Sequence, residues 1–160
     1  MSDTAPALHF RLAEAGDEAF MLAMAERLLS FELPPWRKHK EALAQMRAEL
    51  RRILRDEPPG SYLYIAEDDA GEAAALLHLQ KSSDLLSGKT TVHLAELAIP
   101  AAREGQGLGQ ALLDWAAHWA LEHGAAVLTL NVFPGNARAR ALYERAGLQT
   151  DMIRMVRPLR

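Results

Sequence analysis

Apolar and polar positions change period along the chain, and each change marks an element. Leu8, Phe10 and Leu12 alternate with His9 and Arg11, which predicts a first strand. Gly16 and Asp17 open a helix over residues 19–29, with Asp17 as N-cap or first-turn acid. Pro34 and Pro35 interrupt the chain, because proline removes a backbone donor and pushes Leu33 out of the α region. Ala42, Leu43, Met46, Leu50, Ile53 and Leu54 then recur at helical spacing, predicting a second helix over residues 37–56 that Pro58-Pro59-Gly60 ends. Residues 62–66 and 74–80 read as the strands of a hairpin around Asp68-Asp69-Ala70-Gly71.

Past a polar loop, residues 90–99 are apolar on both faces apart from His93 and Glu96, which suggests a strand in the middle of a sheet. His93 and Glu96 are three apart, so a regular strand sets them on opposite faces. A helix over 108–123, a strand over 126–132, a helix over 136–146 and a last strand over 149–156 complete the pattern. The order β-α-α-β-β-β-α-β-α-β predicts one α/β domain over residues 1–160, a mixed, mostly antiparallel sheet flanked by helices. The strand–helix–strand unit from Thr90 to Val132 should cross over right-handed, making its two strands parallel.

Composition narrows the partners. With 160 residues, 49% of them hydrophobic, the chain can bury a core without covalent staples. The net charge of −3, from 18 Lys+Arg against 21 Asp+Glu, offers no chain-wide basic field for a nucleic-acid backbone. Without cysteine there is no disulfide, thiolate metal site or cysteine nucleophile. No apolar run reaches the ~20 residues of a membrane span. Residues 1–20 lack the basic and then apolar regions of a signal peptide. A cytoplasmic protein with neither nucleic acid nor membrane as partner is the expectation.

The stretch Arg103-Glu104-Gly105-Gln106-Gly107-Leu108-Gly109-Gln110 carries the chemistry. A strand has just ended and a helix begins, with glycines alternating between them. Glycines admit positive φ and bring backbone N–H groups close to a ligand, and a helix N-terminus favours an anion such as a pyrophosphate. A P-loop is excluded because no Gly-Lys-Ser/Thr follows. A dinucleotide fold fits poorly, since the third glycine is at the wrong offset and the next strand ends in Asn131 rather than an acid. A tight turn without ligand stays open on these residues alone.

The same stretch, continued through Ala111-Leu112-Leu113, resembles the acyl-CoA pyrophosphate loop of the GNAT superfamily of N-acetyltransferases. Leu130-Asn131-Val132, Asn136, Ala139, Tyr143-Glu144 and Gly147-Leu148 are similar to that family's second signature, in the right order. The resemblance spans nearly the whole chain and implies a GNAT-like fold, acetyl-CoA as co-substrate and no metal. It further implies that backbone groups of Leu97, Ala98 and Ile99 follow the pantetheine arm. Glu104, Gly105, Gln106, Gly107, Leu108, Gly109 and Gln110 would surround the pyrophosphate. Asn131, Asn136, Arg138, Ala139 and Tyr143 would lie along the rest of the cofactor. Where this chain has Glu104 the family usually has Gln or Arg. A carboxylate there should turn to solvent, with Arg103 or Arg138 supplying positive charge. Homodimers are common in the family, and nothing in the sequence requires one.

Acetyl transfer to an amine needs a neutral amine and a protonated thiol leaving group. A free thiol titrates near ~8.5 and a tyrosine near ~10, so a positioned tyrosine can protonate the departing sulfur. Tyr143 coincides with the family's usual general acid; a core aromatic is its plainer role. Glu96 is a costly carboxylate in a buried strand. It is a candidate base or anchor for a cationic substrate, against the plainer role of a hydrogen bond or ion pair to a neighbouring Arg or Lys. His93 could relay a proton or contact substrate, although a satisfied core histidine is the plainer reading; His78 is a weaker candidate still. The resemblance also implies that the segment with Phe31, Glu32 and Trp36, between the first two helices, walls the acceptor pocket; for Phe31 and Trp36 the plainer role is to cap the core beneath the proline turn. The predicted activity is direct transfer in a ternary complex to a primary amine, a small one in preference to a protein N-terminus or lysine. An acyl-cysteine intermediate is impossible, and no serine–histidine spacing suggests an acyl-serine. The alternative is a catalytically silent acyl-CoA-binding module.

Overall fold

The computed structural model describes residues 7–160. The reading of the first twenty residues as free of a leader therefore falls partly outside the described residues. The chain runs β1 (His9–Leu12), α1 (Glu18–Leu28), α2 (His39–Asp56), β2 (Ser61–Glu67), β3 (Ala73–Ser83) and β4 (Thr90–Ala98). It continues through α3 (Leu108–Glu122), β5 (Val127–Leu130) and α4 (Ala137–Arg145). The strands form one sheet in the order β1-β2-β3-β4-β5, antiparallel throughout except for the parallel pair β4–β5. A mixed, mostly antiparallel sheet flanked by helices is therefore the architecture, as the pattern of the chain predicts.

Two layers cover the sheet. Met21, Met24 and Ala25 of α1 and Leu50 and Ile53 of α2 pack on Leu63, Ile65, Leu76 and Ala98. On the other face Leu113, Ala116, Trp119 and Ala120 of α3 pack on Leu77, Leu79, Val92 and Leu94. β3 is buried without interruption from Ala74 to Leu79, because it faces both layers and has a neighbour on each side. Local signals act as expected at the hairpin. Gly71 takes φ +79° in the turn, and Asp68 Oδ1 accepts from the amides of Ala70 and Glu72. At the start of α1, Asp17 is the N-cap residue without capping through its side chain. Its carboxylate binds Arg11 at 2.8 Å through both oxygens and so ties β1 to the helix.

Three expectations need correction. The predicted last strand, residues 149–156, is not a strand: the chain from 149 onward has no regular structure and is exposed. Its apolar residues come in pairs, Met152-Ile153 and Met155-Val156, separated by Arg154. Either face of a strand there would thus carry a polar or charged residue along with its apolar side chains. Without that strand the middle of the sheet is β3, and β4 lies one strand from the edge. The third correction concerns the face of His93. His78 pairs with Glu96, but Leu79 pairs with Leu94, so Ala95 is an extra residue in β4. This bulge shifts the alternation, and His93 and Glu96 share the face toward α1 and α2.

Candidate active site

The site has two halves, and the end of β4 joins them. β5 pairs with β4 only over Thr91–Leu94, so beyond the bulge the β4 edge that faces β5 is free of a neighbouring strand. That free edge leads from Glu96 through Leu97, Ala98 and Ile99 to Pro100 and a short 3-10 turn, Ala101–Arg103.

The first half is the glycine turn. Gly105 and Gly107 adopt φ +79° and +75°, which L side chains rarely tolerate, and beyond the adjoining residues nothing lies within 4 Å of where a Cβ would stand on either. Gly107 is the N-cap of α3. Among the described residues, the amides of Gly105 through Gln110 bond to no other backbone carbonyl. Free donors at a helix start, with open space before them, suit a pyrophosphate. The residues present therefore fit the acyl-CoA implied by the resemblance. Gly109 serves packing instead. A Cβ there would stand 2.7 Å from Leu142 Cδ2, so its lack of a side chain lets α4 approach α3.

Charge at this turn departs from expectation. Glu104 does not point to solvent; it is held between Arg138 Nη1, 2.7 Å from Oε2, and the guanidinium of Arg27 on α1. The hydrogen bond from Arg138 lowers the Glu104 pKa from its ordinary value, burial opposes this, and Arg27 adds to it. Arg103 faces away, 2.7 Å from Asp68 in the β2–β3 hairpin. Of the two arginines considered, Arg138 is therefore at the turn. Arg27 also donates from Nε to the Ile99 carbonyl at 2.9 Å. Nothing in its sequence context singled it out, since it reads as one more polar residue on a surface helix. Asn136 caps α4, its Oδ1 accepting from the Ala139 amide at 3.3 Å, while Asn131 lies exposed after β5.

The second half is a cavity of about 290 Å³ lined by Leu29, Leu33, Arg37, Ala42, Gln45, Met46, Glu49, Glu96 and Phe133. Five segments contribute: the end of α1, the proline connection, α2, β4 and the loop after β5. Glu96 is thus placed at the pocket, and Glu49 joins it as a second carboxylate. Phe31, Glu32, Trp36 and His93 are not among the lining residues. Phe31 packs on Phe133, with ring centroids 5.5 Å apart, and so supports the wall from behind. Trp36 is stacked by the Arg37 guanidinium at 4.1 Å. Glu32 is exposed, and its carbonyl approaches Gly135. His93 Nδ1 lies 2.8 Å from Thr129 Oγ1, and burial lowers its pKa while Glu96 opposes the shift.

Glu96 has no lysine or arginine partner among the described residues. Its Oε2 lies 2.5 Å from Nδ1 of His78, whose Nε2 meets the hydroxyl of Ser61. A serine–histidine contact thus exists where the linear spacing suggested none, because Ser61 and His78 are brought together by the β2–β3 pairing. Tyr143, on α4, is half-buried against the α3 layer, and burial pushes its phenol above the ordinary tyrosine value.

A model of the acetyltransferase (GNAT) family matches residues 22–148. The chain belongs to the GNAT acetyltransferases. The matched stretch begins inside α1 and takes in both halves of the site. Among relatives, an uncharacterized N-acetyltransferase, YhfO of Bacillus subtilis (strain 168), is 28% identical over 144 residues, or 90% of this chain and 91% of its own. Among solved structures, a ribosomal-protein-alanine N-acetyltransferase from Brucella melitensis biovar Abortus 2308 superposes with a TM-score of 0.70 at 18% identity, covering 96% of this chain and 100% of its own. The aminoglycoside N-acetyltransferase AAC(6')-Iy in complex with CoA does so with a TM-score of 0.67 at 15% identity, covering 99% of both chains. Family membership makes the chain an N-acetyltransferase, one that acts on amines. No helix of this GNAT acetyltransferase, among the described residues, is long and apolar enough to cross a membrane.

Proposed function

We propose that the chain moves the acetyl group of acetyl-CoA to a small primary amine by direct attack in a ternary complex, in the cytoplasm. The observation that carries this reading is the placement of Glu96 where the free β4 edge meets the cavity. A carboxylate there can anchor a cationic amine and accept its proton. Lining by Leu29, Leu33, Met46 and Phe133, with Glu96 as the acid not paired to an arginine and Glu49 held by Arg52, suits an amine with an apolar body.

When bound, acetyl-CoA supplies the activated acyl group as a thioester. Leu97, Ala98 and Ile99 hold the arm with backbone groups, although the Ile99 carbonyl is already committed to Arg27. Gly105 through Gln110 receive the pyrophosphate, with Arg138 beside them and Asn136 and Ala139 at the start of α4. Tyr143 keeps a proton on its hydroxyl for the departing sulfur, and its raised pKa favours the protonated form at neutral pH. The test is thiol release from acetyl-CoA over a panel of primary amines, with Glu96→Gln alongside. Turnover on small amines that falls about a hundredfold in Glu96→Gln supports the reading. Tight CoA binding without turnover on any amine, peptide N-termini included, would make the chain a silent binding module.

A further inference from the structure

Beneath the cavity, three strands contribute a row of polar side chains to the face toward α1 and α2. His78 of β3 stands directly opposite Glu96 of β4 and diagonal to Ser61 of β2. Its side chain is 1% exposed, yet both ring nitrogens are used: Nδ1 toward Glu96 Oε2 and Nε2 toward the Ser61 hydroxyl. The donors follow from chemistry. An ionised carboxylate only accepts, so Nδ1 carries a proton; where the ring is neutral, Nε2 then accepts and Ser61 donates. A buried histidine kept for packing alone needs no such line, and this line ends at the carboxylate on the cavity wall.

The geometry points to His78 as a positioning residue for the amine half of the site, with Ser61 fixing its tautomer. This rests on the reading of Glu96 as the group that takes the amine proton. His78 Nδ1–H holds Oε2, which leaves Oε1 toward the cavity. The proton lost by the attacking amine goes to Oε1, and the proton on Nδ1 stays where it is throughout. The same three side chains resemble a nucleophilic serine triad, but that use is disfavoured here. The Ser61 amide, the donor nearest the hydroxyl, is bonded to the Pro58 carbonyl and cannot serve as an oxyanion hole. The acid end of the row, not the serine, faces the cavity that contains the site.

Long-range ¹H–¹⁵N spectra of histidine-labelled protein read the arrangement without any substrate. The expected signature for His78 is the Nδ1–H tautomer, disturbed in Ser61→Ala; an Nε2–H tautomer in the intact protein overturns the proposal. Kinetics with the best amine of the panel read its consequence. Partners that orient metal ligands cost about ten- to a hundredfold when lost, and His78→Leu is expected to lower kcat on that scale with KM for acetyl-CoA unchanged. His78→Asn, which restores an N–H near the Nδ1 position, should recover most of the loss. In a Glu96→Gln background His78→Leu should cost nothing further, since it acts only through Glu96. Multiplying losses in the double variant, or a normal kcat in His78→Leu while Glu96→Gln is slow, would overturn the positioning role. A normal kcat in Glu96→Gln would instead refute the base reading itself. If His78→Leu fails to fold, the tautomer and the Asn variant decide. Covalent labelling of Ser61 by a sulfonyl fluoride would also overturn the proposal, by making the serine a nucleophile.

Discussion

The two halves of the site are built from different material. At the glycine turn the ligand-facing surface is backbone: amides at a helix start, exposed because Gly105 and Gly107 hold positive φ. At the β4 cavity the surface is side chain, gathered from five segments and resting on a row of polar groups centred on the buried His78. A backbone site asks one thing of its residues, that they have no side chain. A side-chain site asks for particular atoms at particular places, and those can be exchanged without touching the fold. Under the proposed function, the first half can thus stay constant for the co-substrate while the second is free to vary with the acceptor.

The largest effect should come from filling the backbone half. Gly107→Asp places a charge at the turn proposed to receive the pyrophosphate and strains a left-handed residue by about 1–2 kcal/mol. CoA binding by calorimetry should become undetectable, whereas Gly107→Ala, with the strain and no charge, should retain part of it. Equal losses in the two variants would mean that backbone conformation, and not charge, governs the turn. Next comes Tyr143→Phe, which leaves the turn intact. It should reduce kcat by about a hundredfold with CoA affinity unchanged. Because burial raises the Tyr143 pKa from its ordinary value of 10.0, its protonated, competent form persists to that pH and beyond. Any loss of wild-type rate assigned to this phenol should therefore have its midpoint above the ordinary value of 10.0, and a loss that survives in Tyr143→Phe belongs to another group. The smallest effect separates two arginines that the linear sequence could not. Arg138→Ala should weaken CoA binding about tenfold, the worth of one charge-assisted hydrogen bond. Arg103→Ala should leave it unchanged, because that guanidinium is held away from the turn, at Asp68 in the β2–β3 hairpin. Equal losses would show that the turn draws on the general field of the surface and not on Arg138.

Legibility in the sequence divides along the same line. The alternation of Gly105, Gly107 and Gly109 is visible because a backbone requirement leaves a residue-type signature at fixed spacing. Strands and helices up to α4 are visible for the same reason, since burial on one face imposes a period. What escaped depends on contacts distant in the chain. Arg27 reaches Glu104 across 77 positions. Ser61, His78 and Glu96 meet only through strand register, and the bulge at Ala95, which turns Glu96 onto the face of His93, leaves no composition signal. The final segment misled because apolar residues suggested a strand, while their pairing around arginine gave neither face a consistent character. Phe31 and Trp36 were sensible pocket candidates by type. The proline connection instead engages them with Phe133 and Arg37.

Glu104 gives the glycine turn a resident counter-ion. Two guanidinium groups, Arg27 and Arg138, surround one carboxylate, so the turn carries a local surplus of one positive charge in a chain whose net charge is −3. Under the proposed function, an incoming anion meets guanidinium groups already shared with a tethered carboxylate and competes with it for their N–H donors. A lone small anion gains little from that competition, because the carboxylate it displaces is already bonded and cannot diffuse away. A ligand that reaches the free amides of the turn at the same time gains their donors as well. Exchange of this kind acts as a threshold: it lowers affinity for everything, and least for what fills the whole turn.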